Sequence, residues 1–160
     1  MTAIRVIVNG AEVIDNVAPR TSLGDWLREG RNLTGTHLAC EHGVCGACTV
    51  LVDGEPIRAC LMLAAAGEGS EVRTIEGFDA DPLMMALRDA FHRRHALQCG
   101  FCTSGMLITA WDLIRRGKAS SAAEIRRGLA GNICRCTGYT NIVAAIAEAA
   151  TAAEGVGDGE

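Results

Sequence analysis

Eight cysteines in a chain of 160 residues constrain this sequence more than any other feature. They divide into Cys40, Cys45, Cys48 and Cys60 in the first half and Cys99, Cys102, Cys134 and Cys136 in the second. Whether thiols pair as disulfides or bind metal depends on compartment. Met1 to Gly10 carries Arg5 inside an alternating strand pattern and lacks the apolar core of an export signal. No apolar run approaches the ~20 residues needed to cross a bilayer. A cytoplasmic placement is therefore expected, and there an even cysteine count points to metal or redox chemistry. The net charge of −4 argues against a broad nucleic-acid or anionic-membrane surface. With 49% apolar residues the chain can build real cores, in one ordinary domain or two small ones.

The hydrophobic period changes along the chain. Ile4, Val6 and Val8 alternate with polar or small neighbours, Asn9-Gly10 supplies a hairpin turn, and Glu12 to Val17 is the returning strand. Ser22 or Thr21 can cap a short helix with Leu23, Trp26 and Leu27 on one face and Gly30 as its stop. Thr49 to Val52 is a β-branched run ending in a second hairpin signal, Asp53-Gly54, and Glu71 to Ile75 reads as a last strand. From Asp81-Pro82 the period becomes helical. Leu83, Met84, Leu87, Ala90 and Phe91 form one stripe, and Met106, Leu107, Ala110, Leu113 and Ile114 a second beginning near Ser104. Ser121 with Glu124 makes a capping box for a third helix, and a fourth starts near Asn141. The expectation is an α+β chain: a sheet domain over 1–76, an up-down four-helix bundle over 77–153, and a flexible tail over 154–160.

The first cysteine set has the spacing C-x4-C-x2-C followed by Cys60, which is that of plant-type [2Fe–2S] centres. A two-residue turn at Asp53-Gly54 pairs 52 with 55 and, counting back, 48 with 59, so Cys60 returns beside the three-cysteine loop. Gly43 and Gly46 leave backbone N–H groups free to approach the sulfurs of a negatively charged group. Structural zinc is the bland alternative, but it favours two matched pairs over three ligands from one loop. A Rieske site would need two histidines, and His42 lacks a matching partner; it reads as a polar loop residue.

Cys99-Gly-Phe-Cys102 lies between the first two bundle helices, and Cys134-Arg-Cys136 between the last two. In an up-down bundle those connections share one end, so topology gathers four sulfurs. Spacing alone leaves both iron–sulfur and zinc open here.

Three segments together resemble a known family: Cys40-Glu-His-Gly-Val-Cys-Gly-Ala-Cys-Thr-Val50, Gln98-Cys-Gly-Phe-Cys-Thr-Ser-Gly-Met106 and Gly131-Asn-Ile-Cys-Arg-Cys-Thr-Gly-Tyr139. They are similar to the small iron–sulfur subunit of the molybdenum hydroxylases, the xanthine oxidase, aldehyde oxidoreductase and carbon monoxide dehydrogenase group, over about residues 3–150. One departure is Ser104, where the family commonly has Pro; Ser can cap a helix that Pro would start. The resemblance implies an N-terminal β-grasp, plant-ferredoxin-like domain and an all-α four-helix-bundle domain, each holding one [2Fe–2S] cluster. It implies a large partner subunit with molybdopterin, commonly the cytosine dinucleotide, and a medium subunit with FAD, in a hetero-oligomer of which a dimer of heterotrimers is one form. The bundle cluster would lie nearer molybdenum, with Gln98 and Cys136 matching residues that approach the pterin. A relatively apolar bundle end, with Phe101, Met106 and Ile133 near the ligands, would suit that docking.

Other residues have plainer readings. Met84, Met85 and Met106 read as core or interface packing, Trp26 and Trp111 as core aromatics, and Arg93-Arg94 and Arg126-Arg127 as solvated faces. Arg135, between two ligands, can raise the potential of a reduced centre. The chain offers no Gly-rich nucleotide loop and no nucleophile–base pair, so it reads as an electron carrier without a substrate site. A free-standing two-cluster ferredoxin is the alternative, and a zinc-stabilised binding module a third reading. The substrate of any complex is written on another polypeptide.

Overall fold

The computed structural model describes residues 1–157, with side chains through 153. Strands β1 (Thr2–Val8) and β2 (Ala11–Val17) form an antiparallel hairpin around Asn9 and Gly10, both at positive φ as a tight turn between right-twisted strands requires. Ile4, Val6 and Val8 are buried and their neighbours exposed. After Ser22, whose side chain accepts the Asp25 N–H, the chain makes a short helix α1 (Leu23–Asp25) and one wider π turn over Trp26–Gly30. Leu23, Trp26 and Leu27 are buried on the face expected, and the Trp26 indole donates to Asp15 at 2.9 Å.

Strands β3 (Thr49–Val52) and β4 (Glu55–Arg58) form the second hairpin in the expected register, Val52 with Glu55 and Thr49 with Arg58. Strand β5 (Glu71–Arg73) lies between β1 and β3, giving a mixed five-stranded sheet in the order β2-β1-β5-β3-β4. It is shorter than the Glu71–Ile75 expectation. The Thr74 N–H is taken by the Asn9 side chain at 2.8 Å, and the chain then tightens into a 3-10 turn at Ile75–Phe78.

Four helices follow: α2 (Pro82–Arg93), α3 (Thr103–Arg115), α4 (Ala122–Gly128) and α5 (Thr140–Gly157). Helix α2 packs on α3 and α5, and α4 packs on the same two, closing a ring around Met84, Leu87, Phe91, Met106, Ile125 and Ile146. The termini carry the expected caps at Asp81 and Ser121, although Glu124 reaches back to Ser120, one residue earlier than a standard capping box. Three expectations change. Met106 is fully buried in this core and contributes nothing to an exposed apolar end. Met85 is half exposed on the outer face of α2, so of its two readings, core or interface packing, the core one falls. Helix α5 runs through 154–157 of the expected tail, carried past Glu154 and two glycines by the alanine-rich turns before them, since alanine propagates a helix better than any other residue; 158–160 lie outside the described residues.

The two cores meet at β3, all four of whose residues are buried. Val50 and Val52 face the core under the sheet, while Leu51 faces the helical core. Where the chain enters α2, Asp81 accepts from the Met84 N–H at 3.0 Å and from the Trp111 indole at 2.9 Å, and pairs with Arg73 at 3.2 Å. Burial works against the charge of Asp81, but these donors hold its carboxyl below the ordinary value. Asp81→Ala removes a cap and strands a buried indole N–H, an expected loss of about 2–4 kcal/mol, read from the denaturant midpoint. Because the folded pKa is depressed, this contribution is full above the ordinary carboxylate range and is lost as pH falls through the depressed value.

Candidate metal centres

All eight cysteines are free thiols. The loop of the first set is built from positive-φ turns at Glu41, Gly43 and Gly46, which fold the backbone inward around the sulfurs. The Cys45 N–H reaches Cys40 Sγ at 3.4 Å. That bond, with the His42 and Val44 N–H groups, brings the Cys40 thiol down to about 6, against a burial effect of opposite sign. Cys48 is buried at the start of β3. The hairpin returns the chain so that the Ala59 N–H bonds the Cys48 carbonyl at 3.2 Å, and Cys60 is brought back to the neighbourhood of Cys48. Burial pushes the Cys60 thiol up to about 11, and the neighbouring Cys48 adds to it, while the Gly43 N–H opposes both. His42 turns its Nδ1 to the Cys40 carbonyl.

In the second set, Cys99 and Cys136 are exposed and their sulfurs are 3.5 Å apart. Cys134 is buried and Cys102 half-buried beside it. Burial, and then the nearby Cys134, push the Cys102 thiol up to about 12. Burial would raise Cys134 too, but the Thr137 hydroxyl and N–H outweigh it and leave the thiol below its ordinary value. The four therefore run from surface to interior as an outer pair and an inner pair. Gln98 and Arg135 are exposed at the outer pair, as are Phe101 and Ile133.

The inner pair faces the first loop. Cys45, Cys99, Cys102 and Cys134 line one crevice of about 220 Å³. The Ile133 N–H donates to the Cys45 carbonyl at 2.8 Å, so one hydrogen bond joins the residue next to Cys134 to a cysteine of the first set. Arg58 bridges Thr49 Oγ1 and the Gly131 carbonyl, both at 2.7 Å, and buried Asn132 donates to the Gly46 carbonyl at 3.3 Å. Gly46 and Gly105 touch backbone to backbone; a Cβ on Gly105 would strike the Gly46 carbonyl, and one on Gly46 the Gly131 carbonyl. Close approach is what Gly46 contributes most visibly, whereas Gly43 supplies the N–H toward Cys60. His37 adds a link from the first domain, its Nδ1 2.7 Å from the Phe101 carbonyl and its ring stacked on Phe101.

Sequence reasoning passed over Arg58, Asn132, Thr137 and Tyr139. Asn132 and Thr137 stood inside the quoted motif, and a Thr three residues after Cys134 is placed to turn back on it. Ser104 does not cap α3: Cys102 occupies the cap position, and Ser104 sits in the first turn.

The donor chemistry suits a negatively charged iron–sulfur group. Of the eight unpaired thiols, Cys40 and Cys134 each receive a backbone N–H, and the buried hydroxyls of Thr103 and Ser104, in the first turn of α3 directly after Cys102, lack any protein partner. Such hydroxyls are costly unless an acceptor meets them. Among the described residues, no three Cys, His, Asp or Glu side chains close around a single metal ion.

An α+β chain with two sets of four thiols in donor-rich loops belongs to the class of two-centre iron–sulfur proteins, and comparison with known proteins agrees. Residues 6–74 match the family of the 2Fe-2S iron-sulfur cluster binding domain, and residues 74–147 that of the [2Fe-2S] binding domain. The chain is 52% identical over 146 residues to the caffeine dehydrogenase subunit gamma of Pseudomonas sp. (strain CBB1), covering 89% of this chain and 87% of that one. Quinoline 2-oxidoreductase from Pseudomonas putida 86 contains a chain of the same fold, with a TM-score of 0.89, 48% identity and 96% of both chains covered. The aldehyde oxidoreductase from Desulfovibrio desulfuricans ATCC 27774 matches with a TM-score of 0.89 and 37% identity, over 97% of this chain but 17% of that much longer one. The chain belongs to the small [2Fe–2S] iron–sulfur subunits of the molybdenum hydroxylase family, the electron-transferring subunits of xanthine dehydrogenase-type oxidoreductases.

Proposed function

We propose that this chain is the electron-transfer subunit of a molybdenum-containing hydroxylase or dehydrogenase complex. It takes electrons at its bundle end from a large molybdopterin-binding subunit and hands them on, from the Cys40–Cys48 loop, to FAD on a medium subunit or to another acceptor. Cys40, Cys45, Cys48 and Cys60 would hold one [2Fe–2S] group in the domain over 1–76, and Cys99, Cys102, Cys134 and Cys136 another in the domain over 77–153. When bound, such groups supply reversible one-electron oxidation and reduction. The chain itself contributes no substrate chemistry in this reading.

One observation carries it: the sulfurs are ordered from an open surface inward. Cys99 and Cys136 are exposed beside Gln98, Phe101, Arg135 and Ile133; Cys102 and Cys134 lie behind them; and the Ile133–Cys45 hydrogen bond leads into the first loop. An exposed rim with apolar side chains fits a docked partner, and Gln98 and Cys136 are the residues we place closest to a partner's molybdopterin. That an aldehyde oxidoreductase carries this fold within a much longer chain supports a permanent neighbour over a freely diffusing carrier. Among the described residues, no helix is long and apolar enough to cross a membrane.

The protein isolated without oxygen is expected to be red-brown, to hold about four irons and four acid-labile sulfides per chain, and to co-purify with two larger subunits. Metal analysis and size-exclusion chromatography check both points. Stoichiometric zinc in a colourless protein would overturn the iron–sulfur reading. A coloured protein that stays monomeric beside its neighbouring gene products would favour the free-standing ferredoxin.

A further inference from the structure

Around Cys134 the chain closes a circuit of hydrogen bonds. The Cys134 N–H donates to the Tyr139 hydroxyl at 2.8 Å, the Tyr139 N–H donates to Thr137 Oγ1 at 3.2 Å, and Thr137 turns both its hydroxyl (3.1 Å) and its N–H (3.4 Å) on Cys134 Sγ. The circuit is held by unusual backbone: Gly138 lies at φ +67° and Tyr139 at φ +69°, a region aromatic residues seldom enter. Nothing equivalent surrounds the other thiols among the described residues; Cys40, for comparison, receives backbone N–H groups and the neighbouring Cys45 thiol but no hydroxyl.

The circuit fixes where the Thr137 proton goes. A hydroxyl has one proton to give and accepts through its lone pairs. Thr137 Oγ1 already accepts from Tyr139, and a metal-bound thiolate can only accept, so the hydroxyl proton points at Cys134 Sγ. Accepting an N–H also polarises the O–H and strengthens its own donation. A donor on a ligand sulfur favours the more negative, reduced state of an iron–sulfur group over the oxidised state.

We propose that Thr137, its hydroxyl aimed by Tyr139, is a tuning residue that raises the reduction potential of the centre held by Cys134. The proposal rests on the reading of Cys134 as a ligand. It makes the bundle centre a better acceptor at the end where electrons would enter, through a contact confined to one of its four sulfurs. Tyr139 acts through Thr137 and is a positioning residue.

The test is an EPR-monitored redox titration of the assembled protein, with iron and sulfide counted in each variant. Thr137→Val removes the hydroxyl and keeps the shape and the backbone N–H. It is expected to retain full iron, to leave the first-domain midpoint unchanged, and to weaken electron uptake by the bundle centre about tenfold, a fall of about 59 mV for a one-electron couple. Thr137→Ser restores the donor and is expected to return the midpoint most of the way. An unchanged bundle midpoint in a fully loaded Thr137→Val protein overturns the proposal. Loss of bundle iron from that variant overturns it too, since Thr137 would then be structural. Absence of a second EPR signal from the unmodified protein overturns the ligand reading itself, and the tuning role with it.

Discussion

Cys102→Ser is expected to remove one of two EPR signals from the reduced protein, and about half its iron and labile sulfide, while the other signal persists. Cys102 belongs to the inner pair of the bundle set and reaches Cys134 behind the exposed Cys99 and Cys136. A hydroxyl there is a harder ligand with a far higher pKa, and it replaces the thiolate at the least solvated part of the site. The first set shares none of these sulfurs, and its links to the bundle loops, through the Cys45 and Gly46 carbonyls, Arg58 and His37, do not involve the Cys102 side chain. Cys45→Ser should remove the opposite signal for the corresponding reason. Circular dichroism of each variant establishes that the chain is still folded. Loss of both signals from a folded Cys102→Ser protein would mean that the two thiol sets do not act as separate centres.

The second large effect is expected from a single methyl group. Gly105 sits in the first turns of α3 against the carbonyl of Gly46, and a Cβ there has no space unless the two backbones part. Parting them stretches the bonds that Gly46, Gly131 and Cys45 accept from Asn132, Arg58 and Ile133. Overpacking together with the loss of such partly buried hydrogen bonds puts Gly105→Ala at about 3–5 kcal/mol of lost stability. Denaturant unfolding reads this cost. The magnetic coupling between the two reduced centres reads the separation and should weaken in whatever fraction stays folded. A variant as stable as the parent, with unchanged coupling, would show that the contact between the loops is slack.

Much of this was legible from local rules. Asp53-Gly54 dictated a two-residue hairpin, the hairpin dictated register, and register brought Cys60 back to the loop, since side-chain period and turn type leave little freedom. Asp81-Pro82 and Ser121 marked helix starts because capping chemistry is local as well. What stayed hidden depends on distant partners. Nothing in the neighbourhood of Gly105 says that its missing side chain makes room for Gly46, 59 positions earlier in the numbering of the chain. Arg58 reads as a strand-edge charge until the Gly131 carbonyl arrives from the bundle. Met106 shares its sequence neighbourhood with exposed Phe101, but three to four residues of helix turn it into the core. The glycines and acidic residues after position 153 suggested a loose end, although the alanine-rich turns before them carry α5 on to Gly157.

Strand β3 has a mechanical consequence. Linked domains ordinarily swing about their connection when the surface between them is small and polar. Here one strand supplies Val50 and Val52 to one core and Leu51 to the other, so a swing would have to tear apolar contacts from a strand that is also hydrogen-bonded on both edges. The protein is thus a strut and not a hinge. In the complex proposed above, large partners can breathe or dock through different steps at its two ends, and the interval between the thiol sets stays constant while they do.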